Sequence, residues 1–141
     1  MKKLHILLAE DNEGDIVLTT EALEEGGGIG AISVVKNGRD ALDFVMQKND
    51  YEQVLLPDLV LLDINLPLKS GFEVLGAIKT HEATKHIPVI MFSTSASQND
   101  IKRAYQNHAN CYITKPADVT QFLNIVKCLK HLWFDMISLS C

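Results

Sequence analysis

The chain has 141 residues, 47% hydrophobic and 22% charged, the proportions of one ordinary compact domain. Its net charge of -5 lacks the basic surplus that nucleic-acid binding needs, and no apolar run approaches the roughly 18 residues of a membrane span. Cys111, Cys128 and Cys141 form no CxxC spacing and no even set, and the apolar stretch Leu4 to Ala9 is too short for a signal peptide, so the expectation is a cytoplasmic protein with reduced thiols.

Short apolar runs then alternate with helical spacing from end to end. Residues 4–9 (LHILLA) predict a first strand. Ile16, Val17, Thr20 and Leu23 predict a helix, ended by Gly26, Gly27 and Gly28 because glycine tolerates a left-handed cap. Residues 31–35 (AISVV) predict a second strand, Asn37-Gly38 a turn, and Ala41, Leu42 and Val45 a second helix before a polar loop near 48–53. LVLLD at 59–63 predicts a third strand ending in Asp63, and Phe72, Leu75 and Ile78 a third helix that stops before Pro88. VIMF at 89–92 is the fourth strand, Ser97 with Asp100 a capping signal for a fourth helix, and CYIT at 111–114 a fifth strand. Asp118 with Gln121 opens a last helix, apolar from Val119 to Trp133.

Five such units predict a doubly wound α/β protein: a five-stranded parallel sheet in a three-layer sandwich. The flavodoxin-like strand order 2-1-3-4-5 is one of two common solutions, and the residues alone do not choose it. Residues 1–134 are expected to form the domain and 135–141 a short tail, with nothing after 134 long enough for an output domain.

In open parallel sheets ligands bind beyond the carboxyl ends of the strands. Glu10 and Asp11 follow the first predicted strand, Asp63 ends the third, Ser93 and Thr94 follow the fourth, and Lys115 follows the fifth. Two carboxylates about 5 Å apart repel by about 3 kcal/mol at an effective dielectric near 20, so three in one crevice call for a cation. Carboxylate and carbonyl oxygens suit Mg²⁺. Lys115 and the Ser93 hydroxyl supply donors for phosphoryl oxygens, and Asp63 is the natural nucleophile, since aspartyl phosphates are known covalent intermediates.

Through AEDN at 9–12, LLDINLP at 61–67, FSTS at 92–95 and YITKP at 112–116, nearly the whole chain resembles the response-regulator receiver family of two-component signalling. That resemblance implies phosphorylation of Asp63 by a sensor histidine kinase, Mg²⁺ on Glu10, Asp11 and Asp63, and a backbone carbonyl ligand from Asn65. It further implies phosphoryl contacts from Ser93 and Lys115, a cis peptide before Pro116, and a switch in which Ser93 moves inward and Tyr112 follows. Thr94 stands where receivers often carry Ala or Gly, and its bulk is expected to hinder water at the phosphoryl group. NCYITKP at 110–116 and QFLNIVKCLKHLWF at 121–134 look like the stand-alone receivers that work with cyanobacterial phytochromes, which implies a phytochrome as the kinase and output through a downstream protein or a phosphotransfer protein.

Each residue also has an ordinary alternative. Glu10 and Asp11 suit a helix N-terminus, Asp63 a strand-end turn, Lys115 solvent, Ser93 a loop backbone, and Tyr112 a half-buried strand. Their joint occurrence at four strand ends is what points to a site. Cys111 and Cys128 suit small core positions, and the five histidines share no ligand spacing. A haloacid-dehalogenase-type phosphatase would want a second Asp at Asn65, and a receiver-like dimerisation module without phosphate would not need the full acidic and Lys set. Phe122, Val126, Leu129, Trp133 and Met136 fall on one face of the last helix while Ile125 and Leu132 lie to its side, and Phe134 adds a further aromatic. This surplus predicts a homodimer through the last helix and fifth strand.

Overall fold

The computed structural model describes residues 3–140, with backbone only for 134–140. Five strands, β1 (Leu4–Ala9), β2 (Ile29–Val35), β3 (Leu59–Leu62), β4 (Val89–Ser93) and β5 (Cys111–Thr114), pair in parallel in the order β2-β1-β3-β4-β5. Five helices connect or follow them: α1 (Glu13–Glu24), α2 (Gly38–Met46), α3 (Gly71–Thr80), α4 (Gln98–Gln106) and α5 (Val119–Ser140). The expected doubly wound, flavodoxin-like sandwich is therefore the observed one.

Strand alternation divides the apolar side chains between two cores. Leu4, Ile6 and Leu8 of β1, Leu59 and Leu61 of β3, and Ile90 and Phe92 of β4 face the layer of α1 and α5, where Leu23, Phe122, Val126 and Leu129 cover them. Leu7 and Ala9, Val60 and Leu62, and Val89 and Met91 face the other layer, against Phe44, Leu75 and Ile78. Both faces of β3 and β4 are buried, which is why LVLL and VIMF read as unbroken apolar runs.

Helix starts follow local chemistry. Asn12, Asn37, Ser70 and Ser97 cap α1 to α4 by accepting from the backbone N–H three residues on. Asn37-Gly38, expected as a turn, is the cap and first residue of α2. Gly26, Gly27 and Gly28 take φ of 82°, 77° and 86°, the left-handed backbone expected after α1. The last helix continues through Ser140, beyond Trp133, so the backbone of 135–140 extends α5. The side chains of Phe134 and Met136, invoked for the apolar surplus, and Cys141 lie outside the described residues. Among the described residues no helix is long and apolar enough to cross a membrane.

Candidate functional site

Three residues just past the strands keep the sheet's hydrogen bonding going for one more step. Glu10 N–H donates to Val35 O at 3.0 Å, Asp63 N–H to Ala9 O at 3.1 Å, and Lys115 N–H to Ser93 O at 2.7 Å. The ladder thus holds Glu10, Asp63 and Lys115 in register at the carboxyl edge. All three are nearly buried, and Ser93 is fully so.

Lys115 Nζ sits at the centre. It contacts Glu10 Oε2, lies 3.1 Å from Asp63 Oδ2, and lies 3.0 Å from Asp15 Oδ2 in the first turn of α1. Glu10 Oε1 also accepts from Asn12 N–H at 3.1 Å, and Asp63 Oδ1 from Asn65 N–H at 3.3 Å. Oxygens of Glu10, Asp11 and Asp63 lie within 4.8 Å of one another, with Asp11 exposed at the rim. Once ionised, the carboxylates of Glu10, Asp11, Asp15 and Asp63 exceed the single ammonium by three charges. A cluster of hard oxygen donors with surplus negative charge fits a divalent cation such as Mg²⁺.

The charge states reflect this crowding. Burial pushes the Glu10 carboxyl up to about 7, Lys115 opposing and Asp63 adding to the rise. Burial by itself would lower the Lys115 ammonium, but the hydrogen bond to Glu10 and the charge of Asp63 outweigh it and hold the group cationic.

The loop from Asp63 to Ser70 is clamped by two glycines. Gly71 N–H donates to Ile64 O at 2.8 Å, and a Cβ at Gly71 would stand 2.1 Å from Asp63 O. Gly38 N–H donates to Pro67 O at 3.0 Å, and a Cβ there would stand 1.9 Å from Lys69 O. Close backbone approach, which only glycine permits, fixes the segment that carries Asp63.

On the other side, the Tyr112 hydroxyl donates to Ser95 O at 2.7 Å, and Tyr112 N–H donates to the Tyr105 hydroxyl at 3.1 Å. Tyr112 is half-buried against the α2–α4 core, while Thr94 and Asn65 are exposed.

The structure brings together Glu10, Asp11, Asp63 and Lys115, places Ser93 at the adjoining strand end, and sets Asn65 beside Asp63. One expectation is corrected. The Lys115–Pro116 bond is trans, as are all peptide bonds of the described residues. Trans is favoured for X-Pro by about 0.5–1 kcal/mol, and Lys115 reaches Glu10, Asp15 and Asp63 from it, so the contacts in this state do not require the costlier isomer. Asp15 was not foreseen: an acid in the first turn of a helix reads as a partner of the helix dipole.

A doubly wound sheet whose carboxyl edge gathers carboxylates around a lysine and an aspartate fixed by the β3 ladder defines a receiver. The chain belongs to the response regulator receiver domain family, whose model matches residues 6–127, and with that family it shares the role of phosphoacceptor in two-component signalling. It is 35% identical to the response regulator Rcp1 of Synechocystis over 134 residues, 95% of this chain and 91% of that protein. The crystal structure of the phosphorylated cyanobacterial phytochrome response regulator RcpA superposes with a TM-score of 0.93 at 41% identity, over 96% of both chains. The Mn²⁺-bound form of Rcp1 superposes with a TM-score of 0.89 at 36% identity, over 93% of this chain and 94% of that one.

Proposed function

We propose that Asp63 is the phosphoacceptor. A carboxylate oxygen of Asp63 attacks the phosphorus of a donor, the new O–P bond forms as the bond to the leaving group breaks, and the electron pair departs with that group. The observation that carries this reading is the meeting of Asp63 with Glu10, Asp11 and Lys115 in one cluster. Glu10, Asp11 and Asp63, joined by the Asn65 carbonyl, would hold Mg²⁺, which when bound neutralises charge on the transferring group. Lys115 and the Ser93 hydroxyl donate to phosphoryl oxygens. Ser93 then draws inward, and Tyr112 follows because its hydroxyl is tied to the same β4–α4 loop. The chain thus assists its own phosphorylation and dephosphorylation without being a turnover enzyme.

The donor is a sensor histidine kinase of the phytochrome type, a reading supported by the phytochrome response regulator RcpA at 41% identity. Phosphotransfer profiling against phytochrome kinases tests the pairing, and transfer from unrelated kinases alone would contradict it. The protein acts in the cytoplasm, and its output is a changed surface offered to a downstream protein or a phosphotransfer protein. Leu132 at 57% exposure and Val119 at 55% leave apolar area on α5, which supports a homodimer through α5 and β5.

Purified protein given Mg²⁺ and a small acyl phosphate should gain one phosphoryl group by intact mass, and chelation should abolish the gain. Labelling that persists in chelator would overturn the metal-assisted step.

A further inference from the structure

Asp15 lies outside the residues that define the phosphoacceptor site, yet it holds the lysine at the centre of that site. It is the third residue of α1, and its N–H closes on the capping Asn12 Oδ1 at 2.9 Å, so the helix start fixes the backbone from which its carboxylate reaches. The side chain is 24% exposed, against 3% for Lys115 and Glu10 and 9% for Asp63, so Asp15 grips the ammonium from the solvent side.

An ammonium has three donors, and in this structure three carboxylates receive them. Two of the three, Glu10 and Asp63, belong to the set that would hold the metal, and Asp63 would also carry the phosphoryl group. Loading the site changes both of those partners. Asp15 belongs to neither role.

We propose that Asp15 is a positioning residue that takes a share of the Lys115 ammonium from Glu10 and Asp63 and so leaves their oxygens freer for a metal. The inference rests on the phosphoacceptor reading. Without Asp15 the ammonium has Glu10 and Asp63 as its remaining carboxylate partners, and it competes with a divalent cation for their oxygens. Removing a nearby anion also weakens cation binding directly, whatever Lys115 does, so the two effects have to be separated by a cycle of variants.

Calorimetric titration of Mg²⁺ into the full chain, its Asp15→Asn and Lys115→Ala variants and the double variant makes that separation. Asp15→Asn is isosteric and keeps the backbone N–H that closes the cap. It should weaken Mg²⁺ binding about fivefold in the parent and less than about twofold in the Lys115→Ala background. Asp15→Glu, which restores the charge, should recover most of the loss. Should Lys115→Ala fail to fold, Lys115→Gln completes the cycle. An equal loss in both backgrounds, or none in the parent background, overturns the role of Asp15 and leaves the phosphoacceptor reading intact. A parent chain that binds no Mg²⁺ removes the metal site, and both readings fall together.

Discussion

At Glu10 the environment makes a prediction about pH. Burial, with Asp63 adding and Lys115 opposing, raises its carboxyl from 4.5 to about 7, so the folded state takes up this proton more readily than the unfolded chain does. A raised folded value means the group's contribution to stability is fully present below 4.5 and is lost as pH rises to about 7. In chelator, the stability of the parent relative to Glu10→Gln should therefore fall as pH is raised across that window in denaturant titrations, and a difference that stays flat would contradict the account. The placement of Glu10, Asp11, Asp63, Ser93 and Lys115 at one edge of the sheet was legible in the sequence because each follows or ends a strand. Asp15 was not, since its partner Lys115 is 100 residues away and nothing in the spacing joins them. The isomer before Pro116 was equally illegible, because trans is favoured by only about 0.5–1 kcal/mol and the Lys-Pro pair alone does not decide it.

Between strands and helices, the β3–α3 connection sets the precision of the site. Gly71→Ala would drive a Cβ into Asp63 O, and such overpacking against backbone should cost about 2 kcal/mol or more and displace Asp63, seen as a lower urea midpoint with slower labelling. A midpoint like the parent's would show that the clamp is dispensable. In the same loop Leu68 holds φ 70° while 74% exposed, a left-handed backbone that costs a non-glycine residue about 1–2 kcal/mol. Leu68→Gly should stabilise the fold by up to about 1 kcal/mol, part of the gain being offset by glycine's entropy. Across the sheet, Lys115 N–H bonds Ser93 O while Tyr112 ties β5 to Ser95 and Tyr105. Hydrogen exchange over residues 94–112 should change on phosphorylation in the parent and much less in Lys115→Ala, and an identical response in both would refute coupling through Lys115. β3 and β4 were legible because burial on both faces demands apolar runs. β2 nevertheless starts at Ile29, two residues before the expected strand, because Ile29 pairs with Leu4 across a register shift that leaves no apolar signature. The 3-10 turn Asn49–Tyr51 lay unseen in a polar loop, where its Tyr51 ring reaches Phe44 at 5.3 Å between centroids.

For the molecule as a whole, the two cores explain why the sandwich was expected while the strand order was not: alternation tells which side chains are buried, and neighbouring strands are equally apolar. The order 2-1-3-4-5, one of two common doubly wound solutions, is the order observed. On α5, Phe122, Val126 and Leu129 are buried and Trp133 is half-buried against the same core, so most of the expected stripe is used within one subunit. Leu132 is left outward, and a dimer built on it should be lost in Leu132→Glu by light scattering over a concentration series, whereas a monomer mass for phosphorylated and unphosphorylated parent at tens of micromolar would sink the dimer. The central claim is that this fold delivers one phosphoryl group to one carboxylate. Hydride reduction of the phosphorylated protein converts an aspartyl phosphate to homoserine, which fragment mass spectrometry locates. The account predicts conversion at Asp63 and at no other carboxylate, and none in Asp63→Asn. Conversion at Glu10, Asp11 or Asp15 with Asp63 unchanged would contradict it.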